Sequence, residues 1–220
     1  MNFVKIYFFE LPTRKIPRAI FYMGFHHLQL KRFPGIAFYK LLGTGKGETF
    51  TPKDANSHRW GLLVVGDEAA LTSFDASSVI RAWRRISHHE YHALLRPLAS
   101  HGKWSRREPF LADAKEWDGQ VAAITRARIK WSKNARFWRS VPPVTLSLHS
   151  SPGLRSAIGI GEAPLGLQGT YSTWNSSQEL RKFAYQSAPH LEVIDKTKEI
   201  GWYAEELFAR FAIIEERGSL

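Results

Sequence analysis

The second half of this 220-residue chain repeats the first, and two copies of one unit can cover each other's exposed faces in only a few ways. The first copy reads Gly61-Leu-Leu-Val-Val-Gly66, an acidic start at Asp67 and a helical stretch containing Phe74. The second reads Gly169-Thr-Tyr-Ser-Thr-Trp174, then Asn175 and a helical stretch containing Phe183. Seven residues beyond each phenylalanine stand Arg81 and His190. A duplicated unit with one chemically distinct copy points to a scaffold from both halves and a site from one.

The hydrophobic periodicity supports the duplication. In residues 1–110 it predicts a strand over 3–9, a helix over 16–33 with apolar positions Ile16, Ile20, Met23, Leu28 and Leu30, and strands over 35–42 and 60–65. A helix over 68–86, capped by Asp67, and a strand over 91–98, broken near Pro97, complete the first unit. A charged linker near 105–118 follows. In residues 119–220 strands are expected at 120–129, 154–160, 169–174 and 206–215, and helices at 133–141 and 176–198, the latter broken at Pro189. Each half is then strand–helix–strand–strand–helix–strand, the ferredoxin-like order. The predicted fold class is α+β: two fused ferredoxin-like repeats, 1–110 and 119–220, forming a body of the dimeric α/β-barrel type, with an apolar pocket between sheets and helices.

The chain has no cysteine, which excludes disulfides, thiolate catalysis and cysteine–metal sites and suits the cytoplasm. The uncharged, partly apolar stretch 19–30 contains His26, His27 and Gln29 and falls short of the roughly 20 apolar residues of a membrane span. The net charge of +11 is uneven: 17 Lys/Arg against 8 Asp/Glu in 1–110, and 14 against 12 in 111–220. A basic face suits nucleic acid or an anionic membrane, but no nucleic-acid motif accompanies it, and a solvated basic surface is the plainer reading.

His190 follows Pro189, whose break in the helix frees the ring to aim into a pocket; a neutral imidazole there suits a single axial bond to haem iron. On local sequence alone a surface or core histidine is the more ordinary reading. Arg81, its counterpart, cannot ligate a metal. His88, Glu90 and His92 would share one side of a strand, as a two-histidine, one-carboxylate iron site requires, or be polar residues at a helix–strand junction. Gly43-Thr-Gly-Lys-Gly47 lacks the Ser/Thr of a phosphate loop, so it and Gly159-Ile-Gly161 are read as tight turns beside the pocket. Arg126 and Arg128 lie on one side of a strand; they either hold a carboxylate such as a haem propionate or pair with Glu205, Glu206 or Glu162. Arg210 poses the same question.

Several blocks together resemble the spheroidene monooxygenase family of acyclic carotenoid ketolases. They are the run from Phe33 to Pro52, Ile124-Thr-Arg-Ala-Arg-Ile129, Phe137-Trp-Arg-Ser-Val-Pro142, Ile158-Gly-Ile-Gly-Glu-Ala-Pro164, Phe183-Ala-Tyr185 with Pro189-His190, and the run from Trp202 to Phe211. The sequence departs from the family's usual pattern at Lys46 and Gly66. The resemblance implies a haem b (iron)-dependent oxygenase that hydroxylates one methylene of a linear carotenoid twice, with dioxygen and a ferredoxin-type electron donor, to give a ketone. It implies His190 as axial ligand, Arg126 and Arg128 as propionate anchors, and Gln168 and Tyr185 as polar groups steering oxygen. It is compatible with a homodimer and with peripheral contact at the inner membrane. The competing expectation is a non-enzymatic module of the same fold that binds haem or a small apolar ligand.

Overall fold

The structure, a computed structural model, describes residues 2–49, 54–113, 115–129, 145–162, 169–186 and 203–220. Its strands are β1 (Phe3–Glu10), β2 (Ile36–Gly45), β3 (Ala55–Gly66), β4 (His89–Gly102), β5 (Val121–Ile129), β6 (Leu154–Gly161), β7 (Gly169–Trp174) and β8 (Tyr203–Arg217). Its helices are α1 (Ile16–Lys31), α2 (Glu68–Asp75), α3 (Ser78–Ile86) and α4 (Ser177–Gln186). The expected helix over 133–141 and the break at Pro189 lie outside the described residues.

The strands close a barrel in the order β1-β3-β2-β6-β7-β5-β8-β4. Each half contributes four neighbouring strands in the same internal order, β4-β1-β3-β2 and β8-β5-β7-β6, so the repeat seen in sequence is a repeat in space. Antiparallel pairing joins the halves along β4 and β8, from His92↔Arg217 to Gly102↔Leu207, and again at Gly43↔Gly161 and Thr44↔Ile160. One chain suffices to close the barrel, although among the described residues only these two residue pairs hold the β2–β6 seam. The two glycine runs expected to be tight turns are therefore the ends of β2 and β6, paired across the seam between repeats.

The barrel interior is packed. Val4, Ile6 and Phe8 of β1 meet Leu63, Tyr91, Ile124, Tyr171, Leu207 and Phe211 there. The Tyr91 and Tyr171 hydroxyls lie 2.9 Å apart, and Tyr91 donates to Glu216 at 2.7 Å. Burial pushes both tyrosine pKa values up. Side chains thus fill the barrel interior, and any pocket must lie where it is expected, between sheet and helices.

Outside the barrel, α1, α2 and α3 cover the first sheet, where Tyr7, Phe9, Leu41, Trp60, Leu62 and Val64 pack against Tyr22, Phe74, Ile80 and Trp83. The helix expected over 68–86 is two helices. Asp67 caps α2 by accepting from the Ala70 N–H at 2.8 Å, and Ser77 caps α3 by accepting from the Ile80 N–H at 3.3 Å. The second cap restarts the chain because it satisfies an otherwise unpaired first-turn donor. β4 continues through Pro97, with a register shift between Pro97 and Ala99 absorbing the missing N–H. The expected linker is also partly core: Phe110 is buried in the barrel, as is Trp104 just before it. On α1 the buried stripe is Ala19, Tyr22, His26 and Leu30, whereas Ile20 and Leu28 face outward.

Candidate functional site

The register defines two chemically opposite outer faces. In the second repeat, Ala123↔Ser172 and Thr125↔Thr170 pair across β5 and β7, and Ala157↔Ser172 and Gly159↔Thr170 pair across β6 and β7. Their chain neighbours Ala122, Ile124, Ile158 and Tyr171 fill the barrel, so strand alternation turns these six residues outward. The equivalent pairs in the first repeat are Lys5↔Val64, Tyr7↔Leu62, Tyr39↔Val64 and Leu41↔Leu62. At every corresponding place the first repeat carries a large side chain and the second carries Ala, Gly, Ser or Thr. The result is a shallow floor on the outside of the second sheet.

One end of the floor is walled by aromatic and aliphatic groups. Trp174 is fully buried, stacks on Phe183 of α4 at 5.4 Å between ring centroids, and clusters with Leu148, Leu154 and Leu180. The Trp174 indole N–H donates to the Ser172 hydroxyl at 2.9 Å, which fixes both. Arg210 pairs with Ala123 in the β5–β8 register and is half-buried at the floor's edge.

The sequence-derived candidates fall in different places. His190 and Gln168 lie outside the described residues, as does the side chain of Tyr185, which belongs to the last turn of α4. Arg126 and Arg128 share the inner side of β5, facing away from the floor: Arg126 pairs in register with Leu207, a barrel-core residue, and Arg128 with Glu205. Of the two alternatives for Arg126, the structure shows the ion pairs. Its guanidinium donates to Glu162 at 2.7 Å and to Glu205 at 2.6 Å, and lies 5.3 Å from the Trp104 ring centroid. Glu162 also takes Lys40 and the Trp104 indole N–H, while the Ser105 and Arg106 N–H groups donate to Glu205. Burial alone would raise the pKa values of both carboxyls, but these donors hold them below the usual range. Arg128 is exposed at the end of the strand.

The His88, Glu90 and His92 constellation does not form a metal site. Glu90 receives two hydrogen bonds from Arg84, at 2.8 and 2.9 Å, and one contact from His92 at 3.0 Å, while His88 is exposed. Among the described residues no group of three His, Asp or Glu side chains is placed to hold a metal ion. An open groove of about 560 Å³ lies between the end of α1 and β2, bounded in part by Leu30, Phe38, Lys40 and Arg107. No described helix is long and apolar enough to cross a membrane.

Sequence comparison places the chain beside three curated relatives. The spheroidene monooxygenase of Rhodobacter capsulatus is 36% identical over 213 residues, covering 94% of this chain and 88% of that protein. That of Rubrivivax gelatinosus is 32% identical, covering 84% and 72%. The chain belongs to the spheroidene monooxygenase family. It is accordingly a monooxygenase, an oxidoreductase. A further relative in this family, from Cereibacter sphaeroides, is 34% identical over 87% of this chain but 59% of its own length. No family model matches the chain. Among solved structures, aldoxime dehydratase in complex with butyraldoxime superposes with a TM-score of 0.61 at 11% identity, covering 97% of this chain and 79% of that one. A second aldoxime dehydratase structure gives 0.59 at 12% identity, covering 96% and 81%. At such identities the likeness is one of fold.

Proposed function

We propose that this family member uses haem b, for which the outer floor of the second repeat would be the bed and His190 the iron ligand, to oxidise a linear, spheroidene-like carotenoid or a similarly long apolar substrate to a ketone. The observation that carries this reading is the exchange of six large side chains for six small ones between equivalent strands. A flat macrocycle needs a flat, partly apolar bed beside a cation for its carboxylates. Ala123, Ala157, Gly159 and the methyl-bearing Thr125 and Thr170 supply the bed, and Arg210 at its edge supplies the cation. Arg210 therefore takes the role that the sequence suggested for Arg126 and Arg128, whose strand positions face the other way.

When bound, haem supplies the iron centre at which dioxygen is activated. The chain's own residues do the rest. Phe183 and Leu180, backed by the buried Trp174, form an apolar wall that would exclude water and align an extended hydrocarbon. Gln168 and Tyr185 are the polar groups proposed to steer oxygen. In each turnover a methylene C–H becomes C–OH, one oxygen atom leaves as water, and two electrons and two protons are consumed; a ferredoxin-type donor is the proposed electron source. A second turnover at the same carbon gives a geminal diol, which loses water to leave the ketone.

Titration of the purified protein with hemin tests the proposal. A saturable Soret band is expected, together with dioxygen-dependent conversion of a linear carotenoid when a reduced ferredoxin is supplied. His190→Ala should lose both. An unchanged band and unchanged turnover in that variant would overturn the ligand assignment.

A further inference from the structure

Helix α1 carries two apolar faces, and only one is buried. Ala19, Tyr22, His26 and Leu30 pack on the first sheet. On the opposite side Ile20 is 57% exposed, Phe21 60%, Phe25 46% and Leu28 60%. The Phe21 and Phe25 rings stack at 5.4 Å, so the ridge is pre-formed. Pro17 and Gly24 lie on the same exposed face.

The ridge is flanked by cations: Arg14 and Lys15 in the preceding turn, Arg18 on the first turn of the helix, and Lys31 and Arg32 at its end. Residues 11–47 hold seven Lys/Arg and no Asp or Glu. An exposed aromatic and aliphatic ridge flanked along the chain by cations combines the two attractions of an interfacial helix, apolar insertion and binding to anionic headgroups.

We propose that α1 docks this protein onto an anionic phospholipid bilayer, with Phe21, Phe25 and Leu28 entering the headgroup–acyl boundary. A second copy of the chain fits this face poorly, because pairing two such ridges would oppose five cations to five. An acidic protein surface would satisfy the cations but would have to cover a protruding aromatic ridge. The inference rests on α1 alone, and binding is read without turnover, so it stands or falls separately from the substrate assignment.

The cysteine-free chain allows one unambiguous label. A Cβ at Gly24 would meet nothing within 4 Å, so Gly24→Cys can carry a polarity-sensitive fluorophore at the centre of the ridge without disturbing the fold. Gln178→Cys, exposed on α4, is the control. With vesicles containing phosphatidylglycerol, the Gly24 label should shift to the blue and brighten while the Gln178 label stays unchanged. Each basic residue near an anionic leaflet contributes roughly fivefold to affinity, so Arg14→Gln with Arg32→Gln should weaken vesicle binding about 25-fold. Phe21→Ser with Phe25→Ser should abolish the blue shift. No shift on anionic vesicles, an equal shift at both labels, or a concentration-dependent shift without vesicles that marks self-association would overturn the proposal.

Discussion

Arg126→Ala separates a structural cation from a cofactor anchor. The Arg126 side chain is 5% exposed, and its partners Glu162 and Glu205 are 32% and 13% exposed. Removing one partner of a buried ion pair costs about 3–5 kcal/mol, because the remaining charge is left without compensation. Here both carboxylates keep other donors: Lys40 and the Trp104 indole on Glu162, and two backbone N–H groups on Glu205. The lower end, about 3 kcal/mol, is therefore expected, including lost packing of the guanidinium against Trp104. For a chain of this size that is a fall of about 6–12 °C in the melting midpoint. Thermal and urea unfolding of the wild type and Arg126→Ala measure it, and hemin titration of the folded variant supplies the second readout. The account requires a large loss of stability with unchanged hemin affinity. A variant within about 1 kcal/mol of wild type whose hemin affinity falls tenfold or more would show that Arg126 holds the cofactor, and would refute its assignment to the barrel interior.

Two further perturbations test the fold. Gly47 has φ of +93°, and a Cβ there would come within 2.3 Å of the Ala157 carbonyl oxygen, so Gly47→Ala should cost at least about 2 kcal/mol in urea unfolding; a neutral result would contradict the packing of this loop on β6. Burial depresses the His26 pKa from 6.5 to about 4. The unfolded chain binds a proton there first, so the stability from neutral His26 is complete above pH 6.5 and is lost as pH falls through about 4. His26→Phe should flatten stability over that window, and an unaltered pH slope would count against a buried neutral ring.

The sequence signals that survived in the structure are local ones. Alternation marked β1, the continuous apolar run at 60–65 marked the second half of β3, the Asp67 cap set the start of α2, and the matched runs at Gly61 and Gly169 marked the duplication. What periodicity could not supply was the side facing the core. Ile20 and Leu28 have helical spacing, yet they lie on the solvent side of α1, because spacing measures amphipathicity and not which partner covers it. The helix break at Ala76 is hidden because apolar positions continue across it, and Ser77 is visible as a cap only once the turn exists. Closure at Gly43↔Gly161 and the choice of Glu162 and Glu205 for Arg126 depend on pairings between distant segments. The small-residue floor could have been read from sequence by aligning the two halves strand by strand: Leu62 and Val64 against Thr170 and Ser172 already show it. His190 was legible as a candidate from the repeat and its place after Pro189, and Gln168 only beside the family resemblance; both lie outside the described residues.

In the proposed reading, the small outward residues of the second repeat form the bed for a flat prosthetic group where the first repeat carries large side chains. Ala157→Tyr with Ser172→Val rebuilds the first repeat's Tyr39 and Val64 on that floor. Hemin titration of this double variant, with its secondary structure confirmed by circular dichroism, is the most direct test. The account predicts a folded protein with no saturable Soret band. A folded double variant that binds hemin as the wild type does would contradict it.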